Sequence, residues 1–271
     1  MQAHAEQHPP YPEPTGRPEG GTRRPGESVW RGLPRAIAFL TIAPMPATAR
    51  DGLAGAAGWF PVLGAAIGAL AGGVRLGAEQ LVGRTPATVL AIITLVVVTG
   101  ALHQDGLADT ADGLGARGER PRRLQAMRDP ATGAFGALAL IGWTLLMLTT
   151  LASLGAAHAL IALTVACALA RWTALLHAAA TPPARSDGLG AALHVSRPAL
   201  AAATVVSATL SLGLCTIIPG AIATGVALLL AALSALLAHR TLGGRTGDTL
   251  GATIAITEAV ACVALLAAWH G

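Results

Sequence analysis

Three aspartates lie within eight residues, directly after a long apolar run: Asp105, Asp109 and Asp112. A helix turns by about 100° per residue, so these three carboxylates would share one helix face. Carboxylates this close repel one another unless a cation lies between them. Their oxygens suit a hard divalent cation, and Mg²⁺ is the usual one where phosphate is bound. The spacing therefore predicts three catalytic aspartates that hold Mg²⁺.

A second polar segment, residues 127–136, contains a charged pair before a Pro- and Gly-punctuated turn. The guanidinium of Arg128 is a candidate for binding a substrate phosphate, because guanidinium and phosphate form strong, charge-assisted hydrogen bonds. The carboxylate of Asp129 is a further candidate metal ligand. Ordinary anchoring at the membrane interface is the alternative for each charge.

A third polar segment, residues 243–252, is rich in glycine and precedes another apolar run. A glycine-rich turn before a helix can bind an anion through its backbone N–H groups. We therefore expect substrate contacts from Arg245 and Gly247, and a further metal ligand in Asp248.

Charged residues inside apolar runs are rare in this chain, and Arg171 and Glu258 are two of them. A guanidinium at membrane depth costs several kcal/mol unless it is paired or near water. Arg171 is accordingly expected to pair with Glu258, with one of the aspartates, or with a substrate phosphate. His103 would lie about 160° from Asp105 on a regular helix, so it is a candidate substrate contact only if the backbone bends at Gly106.

The composition indicates an integral membrane protein of the all-α class. Hydrophobic residues make up 53% of the 271-residue chain and charged residues only 12%, about half the charged fraction of a soluble domain. The apolar runs are continuous rather than alternating, which favours a bundle of about seven transmembrane helices over a β-barrel. A shorter apolar piece at 36–46 contains two prolines and is predicted to be re-entrant or interfacial. The predicted spans are 53–76, 86–104, 133–153, 157–180, 199–218, 220–238 and 250–268.

Arginines are distributed unevenly between the predicted connections. If the N-terminus is cytoplasmic, most arginines fall on the cytoplasmic side. They are six up to Arg50, five in the second connection, and two in each of the fourth and sixth connections. Only Arg75 and Arg84 fall on the other side, so the positive-inside rule predicts a cytoplasmic N-terminus and a cytoplasmic active site in a multi-pass protein. Residues 1–32 are predicted to be a disordered polar tail, and 33–271 a single membrane-embedded catalytic domain. Nucleic-acid binding has little support.

Clustered aspartates, arginines and a glycine-rich turn on one side of a membrane suit metal-bound diphosphate. Nucleophile motifs are absent, which favours direct transfer from a diphosphate-activated donor. The open alternatives are a prenyltransferase, a CDP-alcohol phosphotransferase, and a transporter of divalent cations or solutes that uses the charges inside its spans.

The string from Leu102 to Gly113, LHQDGLADTADG, resembles the signature of the cobalamin synthase family, the adenosylcobinamide-GDP ribazoletransferases. Residues 39–46, 127–136 and 243–252 resemble further family segments in the same order, so the resemblance covers about 33–268. One departure is visible at Ala255, where relatives carry an acidic residue three positions before the equivalent of Glu258.

The resemblance implies a Mg²⁺-dependent transfer of α-ribazole, or its 5′-phosphate, to adenosylcobinamide-GDP. The products would be adenosylcobalamin, or its 5′-phosphate, and GMP, at the end of nucleotide-loop assembly in cobalamin biosynthesis. It also implies an enzyme of the cell inner membrane, surrounded by membrane lipid, whose chemistry faces the cytoplasm. Assembly into a homo-oligomer stays open.

Overall fold

The computed structural model describes Trp30, residues 32–46, Leu53 and residues 55–270. The predicted disordered tail lies almost entirely outside the described residues. Within these ranges the regular secondary structure is helical, apart from a single bridge between Pro183 and Arg245. The helices are α1 (Gly32–Leu40), α2 (Phe60–Val82), α3 (Arg84–Val98), α4 (Leu102–Gly115), α5 (Arg120–Ala126), α6 (Ala134–Ser153), α7 (Ala156–Ala180), α8 (Leu189–Ala192), α9 (Arg197–Cys215), α10 (Ile217–Leu242) and α11 (Gly247–His270).

Six helices are long and apolar enough to cross a membrane: α2, α6, α7, α9, α10 and α11. Helices α3 and α4 pass the same criterion only as a pair and are bent by 86° at their junction, so the number of crossings rises to seven only if the pair is counted as one span. The predicted multi-pass helical bundle is confirmed. The short helix α1 has nine residues, or about 14 Å of length, so it cannot cross a bilayer on its own.

The predicted second span, 86–104, is wrong at its end, because the chain turns at residues 99–101. Gly100 and Ala101 have φ values of 61° and 58°, in the left-handed region that costs an alanine about 1–2 kcal/mol. The turn is held by the Ala101 N–H, which donates to the Val96 carbonyl at 2.8 Å. Helix α4 therefore leaves the direction of α3 and lies across the end of the bundle, outside the crossing segments.

The centre of the bundle is formed by α7 and α11, the two most buried spans. Helix α2 packs closely on α7 through Gly64, Gly68 and Gly72, which follow one another at four-residue spacing. A Cβ atom on Gly72 would lie 2.6 Å from the Leu160 Cα, and one on Gly68 would overlap the Leu163 carbonyl. Small residues at this spacing allow the helix backbones to touch, as is common in membrane bundles.

The connections divide between the two ends of the bundle. Tight turns at Gly83, at 154–155 and at Thr216 join consecutive spans at one end. At that end the buried Arg75 donates from Nη2 to the Leu154 carbonyl at 2.7 Å, which ties α2 to the end of α6. Helices α4 and α5, segment 181–196 and the turn at 243–246 gather at the opposite end.

Candidate active site

The site is built where α4 crosses the first turn of α11. Gly106 faces this crossing, and a Cβ atom there would lie 2.8 Å from the Asp248 carbonyl oxygen and 3.2 Å from the Gly251 Cα. This close approach of two backbones places Asp105 and Asp109, on either side of Gly106, next to Asp248. The crossing therefore brings together aspartates that are about 140 residues apart in the chain.

Electrostatic crowding is strongest at Asp109. Burial, together with the negative charges of Asp105, Asp248 and Asp112, raises the pKa of its carboxyl to about 6, and the positive charge of Arg185 opposes this shift. A carboxyl that is this disfavoured in its charged form gains from a nearby cation. Asp105, Asp109, Asp112 and Asp248 thus lie near one another at this end of the bundle, and their binding of a metal stays a prediction.

Asp112 makes a different set of contacts from the other two aspartates of the signature. Its Oδ2 accepts the Gly133 N–H at 2.7 Å and its Oδ1 accepts the Gly136 N–H at 2.9 Å. These N–H groups begin α6, so Asp112 caps a transmembrane helix from a neighbouring one. Its role as a metal ligand stays a prediction.

A pocket of about 240 Å³ opens beside this crossing. Arg185 contributes to its wall and lies with Nη1 3.8 Å from Asp248 Oδ2. Its Nη2 donates to the Leu124 carbonyl at 2.7 Å, and its buried Nε has no hydrogen-bond partner among the described residues. The pocket is lined by Arg128, Arg185, Asp187, Gly188, Leu189, Arg245, Thr246, Gly247 and Asp248.

Arg128, one of the predicted phosphate-binding residues, lies at the rim of this pocket. Its Nη2 donates to both carboxylate oxygens of Asp187, at 2.6 and 2.8 Å. Both side chains are more than half exposed, so solvent weakens the ion pair and an anionic ligand can compete for the guanidinium.

Arg245 also lines the pocket, but its nitrogens are occupied. Nε donates to the Gly190 carbonyl at 2.9 Å, Nη2 to the Leu193 carbonyl at 3.1 Å, and Nη1 to the Thr181 carbonyl. Arg245 thus holds segment 181–193 against the start of α11, and its predicted phosphate contact stays a prediction. Gly247 opens α11 at the pocket wall, where the positive end of the helix dipole favours an anion.

The remaining predicted residues lie away from the pocket. Arg171 and Glu258 form a fully buried ion pair between α7 and α11, which confirms one of the pairings expected for Arg171. His103 is buried with its Nδ1 3.4 Å from Arg171 Nη2. Helix α4 runs unbroken through Gly106, so the bend required for His103 to reach a phosphate is not present.

Asp129 lies on the surface beside a different hollow, between the end of α4 and α5. Its Oδ1 accepts the Ala131 N–H at 3.0 Å. The structure therefore separates Asp129 from the carboxylates at the α4–α11 crossing, and its predicted metal role stays a prediction.

The carboxylate oxygens at the α4–α11 crossing are the kind of ligand that Mg²⁺ prefers. Within the described ranges, no three His, Cys, Asp or Glu side chains converge on one point. Mg²⁺ is commonly held by only one or two carboxylates together with substrate phosphate oxygens and water. Asp105, Asp109 and Asp248 supply such carboxylates next to a pocket that carries guanidinium groups.

Sequence reasoning missed Arg185 and Asp187 as pocket residues. Both belong to a polar connection without a recognisable motif, and their place depends on contacts with segments about 60 residues away. The positive-inside count gave the only signal, since it places Arg185 on the same side as the aspartates.

Comparison with known proteins connects this geometry to a family. Residues 32–266 match the family model described as cobalamin-5-phosphate synthase. A protein named adenosylcobinamide-GDP ribazoletransferase from Azorhizobium caulinodans is 39% identical over 241 residues, covering 82% of this chain and 90% of the relative. A protein of the same name from Bradyrhizobium diazoefficiens is 40% identical, over 80% of this chain and 86% of the relative. Another, from Desulforamulus reducens, is 36% identical, over 83% of this chain and 91% of the relative. No solved structure is significantly similar. The resemblance of the aspartate signature is confirmed, and the chain belongs to the cobalamin-5-phosphate synthase family.

Proposed function

We propose that this protein transfers α-ribazole, or α-ribazole 5′-phosphate, to adenosylcobinamide-GDP and releases GMP. The relatives that are similar to most of this chain are named for this activity. The structural observation that carries the proposal is the α4–α11 crossing, which places Asp105 and Asp109 beside Asp248 at the edge of a pocket lined by arginines.

The reaction exchanges one phosphorus–oxygen bond for another. A ribose hydroxyl of the ribazole attacks the phosphorus that bears the cobinamide, and the bond from that phosphorus to the bridging oxygen breaks. GMP leaves with the electron pair, and the hydroxyl proton passes to a base. Such a transfer depends mainly on positioning and on stabilising negative charge, which polar groups of this site can provide.

Binding of the diphosphate is assigned to the pocket. Arg185 offers a buried Nε without a partner, and Arg128 can exchange its exposed contact with Asp187 for a phosphate. Gly247 adds the positive end of α11. Guanidinium groups suit this task because they remain charged and donate several hydrogen bonds in one plane.

The carboxylates are assigned to metal binding and proton transfer. One or two carboxylates from among Asp105, Asp109 and Asp248 would hold Mg²⁺ together with phosphate oxygens, and the ion would neutralise the diphosphate and stabilise the leaving GMP. The proton of the attacking hydroxyl passes to a carboxylate of this group, of which Asp248 lines the pocket. The cysteines provide no alternative nucleophile, because Cys167, Cys215 and Cys262 are all buried in the bundle.

The protein is multi-pass, and we place it in the cytoplasmic membrane with the site facing the cytoplasm. The arginine asymmetry supports this orientation, as does the gathering of α4, α5 and segment 181–196 at one end. The test is labelling of intact cells with a membrane-impermeant maleimide. Arg122→Cys should stay unlabelled until the cells are opened, whereas Leu81→Cys, at the opposite end and 86% exposed, should be labelled at once. The reverse pattern contradicts the orientation.

Metal-dependent GMP release tests the activity itself. Purified protein in lipid nanodiscs is mixed with adenosylcobinamide-GDP and α-ribazole, with and without Mg²⁺, and both products are measured by mass spectrometry. We expect equal amounts of GMP and adenosylcobalamin, and no reaction without a divalent cation. Prenyl or lipid transfer without GMP release, or solute flux in proteoliposomes without turnover, would contradict the proposal.

A further inference from the structure

A second hollow opens at the same end of the bundle as the pocket. It has a volume of about 610 Å³ and lies between the end of α4 and α5. Arg128 lines the pocket and Asp129 lines this hollow, and the Cα atoms of consecutive residues are only about 3.8 Å apart. Arg128 and Asp129 thus link the wall of the pocket to the wall of the hollow, and this is the route by which a ligand with its phosphates in the pocket would reach the hollow. Its lining residues are Ala116, Arg117, Pro121, Arg122, Gln125, Ala126 and Asp129.

The polar side chains of this hollow are largely without partners. Arg117, Arg122 and Gln125 form no side-chain hydrogen bond or ion pair with the described part of the chain, although neighbouring arginines do. Arg120 donates to the Ala184 carbonyl, and Arg123 donates to the Leu114 carbonyl. The hollow thus presents two guanidinium groups and an amide to a ligand.

Asp129 adds an acceptor to these donors. Only its Oδ1 is used, by the Ala131 N–H at 3.0 Å. An exposed carboxylate among unpaired arginines gives the hollow both a donor and an acceptor character, which a purely anionic ligand would not require. A heterocycle with donors on one edge and acceptors on another matches this arrangement.

We propose that this hollow binds the guanosine end of the nucleotide donor, with Asp129 recognising guanine. This inference depends on the proposed function. Guanine carries two adjacent donors, N1–H and the 2-amino group, which a carboxylate accepts together. Its O6 and N7 are acceptors for guanidinium or amide donors, the pairing by which arginine recognises guanine in DNA. Arg117, Arg122 and Gln125 supply such donors.

The alternative hollow beside the pocket is too small for a base. It lies between α1, α2, α4 and α11, with Phe39, Phe60 and Leu250 in its wall, and measures about 30 Å³. One water molecule needs about 10–15 Å³ of such space, so this hollow has room for only about two. Its apolar lining also lacks the paired acceptors that guanine requires.

Equilibrium binding of nucleoside monophosphates tests the assignment in the full-length protein in detergent micelles. Wild-type protein should bind GMP about tenfold more tightly than IMP, because IMP lacks the 2-amino group and loses one charged hydrogen bond. Asp129→Asn should abolish this preference. The variant should bind XMP more tightly than wild type does, because an asparagine amide can donate to the 2-carbonyl of xanthine whereas a carboxylate is repelled by it.

Glu119→Gln is the matched control, since Glu119 is an exposed acid on the same segment and does not line the hollow. It should keep the GMP preference of the wild type. An unchanged ratio of GMP to IMP affinity in Asp129→Asn, or no gain for XMP, overturns the assignment of guanine to Asp129. Failure of the wild type to release GMP from adenosylcobinamide-GDP would instead overturn the proposed function, so the two outcomes are distinguishable.

Discussion

Replacing Gly106 with alanine tests the contact that brings the aspartates together. The added Cβ would lie 2.8 Å from the Asp248 carbonyl oxygen, and the nearest atoms belong to the backbone of α11. A backbone cannot rotate out of the way as a side chain can, so α4 must move. Restoring an ordinary contact of 3.4 Å requires a shift of about 0.6 Å between the helices.

A shift of this size acts on turnover more than on folding. A misplacement of about 1 Å can reduce catalysis about 100-fold, so we expect about a tenfold lower kcat for Gly106→Ala. The free energy of unfolding should fall by about 1–3 kcal/mol, the range for overpacked sites. The Mg²⁺ concentration that gives half-maximal activity should rise, because Asp105 and Asp109 move relative to Asp248.

The assay is GMP release at saturating substrate over a series of Mg²⁺ concentrations, with thermal unfolding to confirm that the variant is folded. Gly142→Ala is the control, since a Cβ there would meet no atom within 4 Å. It should leave both quantities unchanged. Wild-type kcat and an unchanged Mg²⁺ dependence in folded Gly106→Ala would refute the argument that this crossing sets the geometry of the carboxylates.

Further predictions concern the charged groups. Asp109→Asn should raise the barrier by about 2–4 kcal/mol, the range for deletion of one electrostatic contact, and so lower kcat at least about 30-fold. Below about pH 6 the Asp109 carboxyl of the metal-free protein binds a proton, so half-saturating Mg²⁺ should rise as the pH falls and stay constant at higher pH. Arg185→Ala should raise the KM for the nucleotide donor about 10- to 100-fold through loss of charged hydrogen bonds, with partial recovery in Arg185→Lys. Glu258→Gln leaves Arg171 buried without its counter-charge and should lower the free energy of unfolding by about 3–5 kcal/mol in thermal or denaturant unfolding.

Controls separate these effects from general damage. Arg197→Ala removes an exposed arginine from the start of α9 and should leave the KM unchanged. Substituting both Arg171 and Glu258 with apolar residues should recover most of the stability lost in Glu258→Gln. A normal KM in Arg185→Ala would contradict its assignment to phosphate binding. Wild-type turnover in Asp109→Asn, or a Mg²⁺ dependence that does not change with pH, would contradict the metal role of Asp109. An unaltered unfolding transition in Glu258→Gln would contradict the stabilising role of its ion pair with Arg171.

The sequence predicted the bundle because long apolar runs are a local signal. Each predicted span corresponds to one observed helix, but the second predicted span continues past the end of α3 into α4. The segment from Val98 through Leu102 carries no charge, so hydropathy does not reveal the bend, and Gly100 is the single local signal of it. The left-handed φ of Ala101 is stabilised by tertiary structure rather than by its own preference.

The candidate site was predictable in its residue types and only partly in its contacts. Helical periodicity places Asp105, Asp109 and Asp112 on one face, but it cannot show that the first N–H groups of α6 lie 2.7 and 2.9 Å from Asp112. Nor can spacing show that Arg245 is engaged by three carbonyls while Arg185 keeps a nitrogen without a partner. Such contacts join segments far apart in the chain, where sequence patterns carry no information.

The cap that Asp112 provides to α6 also has a consequence for how the protein meets bilayers of different thickness. The first turn of α6 is fixed to the same helix that carries the other aspartates, so the depth of those carboxylates is set from this end. A lipid phase thicker or thinner than the apolar length of the helices must then be accommodated by tilt or by the far turn at Leu154. The turnover rate should consequently depend little on the acyl-chain length of the lipid, whereas the contacts of Arg75 at the far end should change with it.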